Sequence, residues 1–165
     1  MEFNNDDDFL GGPGEEGSSS RKFKIYHESV ELPMFYAKYE VIVGMYMDEI
    51  LTHMRELVGG VELIDREKFG SIHIPGYTCV VKGPMVGTNF YVFVCINEHN
   101  PPAWPRIEDT IVHEATHLSW FILDNLNINI TADNHEIQCY MMEHLVRDIT
   151  HVTNRAKERI LPNEL

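Results

Sequence analysis

Hydrophobic and polar positions in this chain repeat with two different periods. Extended, β-branched and aromatic runs dominate to about residue 97, and helical spacing dominates after it. Phe23 to Tyr26 predicts a short first strand, and Met34 to Val43 (MFYAKYEVIV) a longer one that Gly44 ends. Met47, Ile50, Leu51, Met54, Leu57 and Val58 recur every three or four residues, so residues 45–58 are expected to form an amphipathic helix stopped by Gly59-Gly60. Residues 71–82 suggest a strand broken near Pro75-Gly76, followed by a turn at Gly83-Pro84. In residues 87–97, Phe90, Val92 and Val94 make one face apolar, while Tyr91, Phe93 and Cys95 do the same for the other. That two-sided pattern predicts a central, covered strand.

A proline-rich loop at residues 98–105 precedes a predicted helix from about Arg106 to Asn125, with Ile107, Ile111, Ala115, Leu118 and Ile122 on its apolar stripe. Asn127 to Ile130 reads as a loop. Thr131 reads as the N-cap of a last helix from about Ala132 past Ile149, extending as far as Arg159. The expected class is α+β: a small mixed sheet with one helix, then two long helices in sequence.

The chemistry is concentrated in His113-Glu114-Ala115-Thr116-His117. Residues four apart on a helix stack on one face, so both imidazoles can reach one metal ion, with Glu114 one step round beside it. A catalytic zinc site takes three protein ligands and leaves one position for water. Glu136, one turn into the last helix, is the best candidate for the third, with Asp133, His135 and Asp124 as rivals. In this scheme zinc activates a water and polarises a carbonyl, while Glu114 acts as general base toward a peptide bond. Tyr140 and His144 share the face of Glu136 and are candidates for a second donor to the developing oxyanion. His135 and His151 follow them, and Glu143 is placed to support a ligand.

Composition narrows the partners. The chain has 165 residues, enough for one domain with a core, and is 44% hydrophobic. Its formal net charge is −13. Residues 1–20 hold six of the 26 acids and none of the 13 bases, which leaves −7 on residues 21–165. An acidic body argues against nucleic acid or an anionic membrane surface as partner. Residues 1–20 read as a disordered acidic tail and residues 21–165 as a single domain. Cys79, Cys95 and Cys139 fit neither a disulfide framework nor a cysteine zinc ribbon. Reduced thiols, an acidic N-terminus without signal-peptide character and the lack of a long apolar run predict a cytoplasmic protein.

Two segments, His113-Glu114-Ala115-Thr116-His117 and Asp133-Asn134-His135-Glu136-Ile137-Gln138-Cys139-Tyr140, resemble the gluzincin metallopeptidases. Those pair H-E-x-x-H with a glutamate ligand on a following helix. The resemblance implies a zincin-like fold, one zinc on His113, His117 and Glu136, and Glu114 as general base. It departs from the family pattern at His135, which intervenes before Glu136, and at Tyr140, which stands where an aspartate often holds a histidine ligand. The layout is also similar to short bacteriophage-encoded metallopeptidase-like chains with H-E-A-T-H followed by E-x-x-x-Y. That likeness implies a phage origin, a host-cytoplasmic location or a place in the virion. The expected function is a zinc metallopeptidase acting on a peptide or protein. The main rival is a catalytically silent zincin fold serving as a virion component or host-factor inhibitor. A cysteine-ligated deformylase-type site ranks last, since nothing near Cys79 or Cys95 has the needed sequence.

Overall fold

A computed structural model describes residues 24–58, 75–83, 87–96 and 106–161. The acidic tail, Gly59-Gly60 and the proline-rich loop lie outside them. Four strands form one mixed sheet: β1 (Tyr26–Leu32), β2 (Ala37–Gly44), β3 (Gly76–Gly83) and β4 (Gly87–Cys95), in the spatial order β1-β2-β4-β3. The β1–β2 and β3–β4 pairs are antiparallel. The central β2–β4 pair is parallel, with Tyr39, Val41 and Val43 opposite Phe90, Val92 and Val94. Among the described residues, three helices accompany the sheet: α1 (Met47–Leu57), α2 (Ile107–Asn125) and α3 (Glu136–Ile160). The class is thus α+β.

Side chains alternate across a strand, and each face has its own core. Tyr39, Val41, Val43, Phe90, Val92 and Val94 point to the face covered by α2 and α3. Ile42, Tyr91, Phe93 and Cys95 point to the other, against Ile50 and Met54 of α1. The two-sided apolarity of residues 90–95 therefore has the anticipated cause: β4 is central and covered on both sides. Helix α3 buries Met141, Leu145, Ile149, Val152, Ala156 and Ile160, a stripe stepping by three and four residues.

Three boundaries differ from expectation. The first strand runs from Tyr26 to Leu32, because its inward positions Tyr26, Val30 and Leu32 alternate with exposed His27, Ser29 and Glu31. Pro33 opens a single 3-10 turn to Phe35, which delays β2 to Ala37. The last helix begins at Glu136 rather than Ala132. Thr131 does act as a local cap, accepting the Asp133 N–H at 3.3 Å, but Asn134 Oδ1 folds back on the Thr131 N–H at 2.6 Å. The pair closes a turn that competes with helix.

Helix α2 is held at both ends. The Asp109 carboxylate accepts from the Arg106 N–H at 3.2 Å, covering one free donor of the first turn. At the other end Asn127 takes a left-handed φ of 55°. The Asn127 N–H donates to Asp124 O at 3.0 Å and the Ile128 N–H to Leu123 O at 2.9 Å. These two bonds define a Schellman motif, with asparagine where glycine is usual.

Candidate metal centre

His113 and His117 project from the same exposed face of α2. Their Nε2 atoms lie 3.1 Å apart, with the rings edge to face and centroids separated by 4.7 Å. Two nitrogens bound to one tetrahedral zinc at 2.0–2.1 Å would be about 3.3 Å apart. The pair therefore presents two donors at chelating separation. Phe121, one turn further, stacks on His117 at 6.5 Å.

Glu114 is turned inward and is only 5% exposed. Strand β3 passes close to it: the Thr78 hydroxyl donates to Glu114 Oε2 at 2.7 Å and lies 3.1 Å from its main-chain oxygen. Gly76 makes that approach possible. A Cβ on Gly76 would stand 2.5 Å from Thr110 Cγ2 and 2.9 Å from Glu114 Cγ. Burial pushes the Glu114 carboxyl above the usual glutamate range, opposed by the Thr78 hydrogen bond and then by His113 and His117. A carboxyl so raised is a better proton acceptor than a solvated one.

The other candidates stand apart from this pair. Among the described residues no three His, Cys, Asp or Glu side chains converge on a common point. Glu136 is the first residue of α3, not one turn in. Its exposed carboxylate has Oε1 3.6 Å from Nε2 of its neighbour His135. The reason lies in the way the helices meet. Ser119, which Gln138 approaches at 3.4 Å, lies about 160° from His117 and about 120° from His113 around α2. Gln138 thus meets α2 at a position well round the helix from the imidazoles. Tyr140 is 57% exposed, and His144 Nδ1 accepts from the Arg147 guanidinium at 2.6 Å. His135 Nδ1 donates to Ala132 O at 2.8 Å. Glu143 and His151 are exposed on α3.

The two residues that shape the environment of Glu114, Gly76 and Thr78, precede it by more than 30 positions in the chain. The local signal was Gly76 itself, a glycine inside an extended run, a place where another segment can approach the backbone closely. The cysteines lie elsewhere. Cys79 and Cys95 are buried on the α1 face of the sheet, Cys139 is exposed on α3, and all three are free thiols. Burial pushes the Cys79 thiol up to about 12, which keeps it protonated at neutral pH.

No family model, curated protein or solved structure matches the chain.

Proposed function

We propose that this protein is a zinc-dependent metallopeptidase of the gluzincin type. The observation that carries the reading is the 3.1 Å separation of His113 Nε2 and His117 Nε2 on an exposed helix face, with a buried glutamate between them in sequence. His113 and His117 would hold the ion as neutral imidazoles, and the ion would polarise a substrate carbonyl and lower the pKa of a bound water. Glu136 is the residue we assign to the third position. In this structure its exposed carboxylate lies 3.6 Å from His135 and does not join the pair. Glu114 would take a proton from the attacking water and pass it to the leaving amine. The Thr78 hydroxyl would hold that carboxylate in place. Tyr140 remains the proposed second donor.

The test is digestion of a mixed peptide library by the zinc-loaded chain, with cleavage read by mass spectrometry. Cleavage is expected from the native chain, and Glu114→Gln should bind zinc but lose hydrolysis by at least about a hundredfold, the contribution of a positioned base. Cleavage undiminished in Glu114→Gln would remove the assigned base.

One observation favours a second reading. Glu114 is buried, and its carboxylate is held by the Thr78 hydroxyl at 2.7 Å. A protein that binds zinc through two histidines and cleaves nothing in the library would be a non-enzymatic binding or structural protein on this scaffold.

A further inference from the structure

The face of α2 that carries the histidines continues beyond them. His113, His117, Trp120 and Asp124 follow at intervals of four, three and four residues, so they form one stripe. At its C-terminal end lies an open cavity of about 460 Å³, within the size range of small-ligand pockets. Trp120, Leu123, Asp124, Ile128, Asn129 and Gln138 contribute to its lining. Trp120 is 59% exposed, an unusual setting for a tryptophan ring. The Schellman turn at Leu123–Ile128 forms one wall and fixes it by two backbone hydrogen bonds. Asp124 is the one ionisable group among the described lining residues, and no Lys, Arg or His neutralises it there.

We propose that this cavity binds the cationic side chain of a basic residue, arginine above all, in an extended peptide. The chemistry favours that occupant on three counts. An indole face attracts a cation, and a planar guanidinium stacks on it. A carboxylate on the same stripe accepts the guanidinium hydrogens, and the side chains of Asn129 and Gln138 offer further carbonyl acceptors. The chain as a whole carries a formal charge of −13 and draws cations from a distance.

The location deepens the peptidase reading and, in its positional part, rests on it. Seven helical residues separate His117 from Asp124, about 10.5 Å of rise. An extended peptide covers that distance in about three residues. The basic residue would therefore sit about three positions from the bond that is cut.

Calorimetric titration of the metal-free full chain with a blocked alanine peptide containing one central arginine tests the site without needing catalysis. The same peptide with citrulline, the neutral isostere, is the control. Arginine is expected to bind roughly tenfold or more tightly than citrulline, with the preference lost in Asp124→Asn and the affinity reduced in Trp120→Ala. Circular dichroism is the control for folding of both variants, which are altered at exposed positions. Equal binding of arginine and citrulline, no binding of either, or an arginine preference unchanged in Asp124→Asn each overturns the proposal. Arginine binding without cleavage of any peptide retains the pocket and removes the peptidase reading. Cleavage with no preference for a basic residue does the reverse.

Discussion

Replacing Gly76 by alanine probes the contact that brings β3 against Glu114. The added Cβ would lie 2.5 Å from Thr110 Cγ2 and 2.9 Å from Glu114 Cγ, and Thr110 is itself 3% exposed. Carbon atoms pack comfortably at about 3.5–4.0 Å, so β3 and α2 must separate by about 1 Å. Thr110 cannot readily turn away, since a β-branched side chain on a helix has restricted χ1 rotamers. Overpacking of this kind costs about 1–3 kcal/mol. Alanine also narrows the unfolded ensemble, which offsets about 0.4–1 kcal/mol. The net expectation is a loss of about 1–2 kcal/mol in urea unfolding of the metal-free chain. Thr110→Ser removes the methyl group that meets the new Cβ. The double variant should then be more stable than the sum of the single effects predicts, by about 1 kcal/mol. The rescue stays partial because the contact with Glu114 remains. A neutral or stabilising Gly76→Ala, or effects that simply add, would refute the close approach.

Thr78→Val keeps the shape of the side chain but removes the donor to Glu114 Oε2. It should cost about 1–3 kcal/mol, the penalty for a buried polar group left without its partner, measurable in the same unfolding experiment. The Glu28 carboxylate is pushed up by burial but held lower overall by the Tyr26 hydroxyl and the Arg155 guanidinium. A lowered folded-state pKa stabilises above the ordinary value of 4.5 and loses that contribution as pH falls through the folded value. Native protein should therefore exceed Glu28→Gln by about 0.2–1 kcal/mol at pH 7, with the gap closing below pH 4.5. A gap that widens in acid would reverse the sign of the interaction.

How legible the fold was depended on whether its cause was local. The covered strand at residues 87–95 and the long stripe of α3 could be read from periodicity, because burial on two faces or on one stripe is written directly into residue type. The pairing of His113 with His117 followed from helix geometry alone. The start of α3 did not, because Thr131 caps a turn with Asn134 in place of the helix. That difference moved Glu136 to the first position of α3, where its carboxylate lies 3.6 Å from His135 and does not converge with the imidazoles. Gly76 and Thr78 act on Glu114 only through the pairing of β3 with β4, a non-local contact with no periodic signature. Asn127 closes α2 in a left-handed conformation that a glycine would have announced more plainly.

Every step proposed for this protein depends on the histidine pair of α2 holding a metal ion. The most direct measurement is zinc content and affinity of the purified full chain after removal of its metals and controlled reloading, by elemental analysis and competition with a chromogenic chelator. One zinc per chain is predicted for the native protein, lost in His113→Ala and in His117→Ala. Absence of stoichiometric zinc in the native chain, or its retention when both histidines are replaced, would rule out a metal ion on this pair.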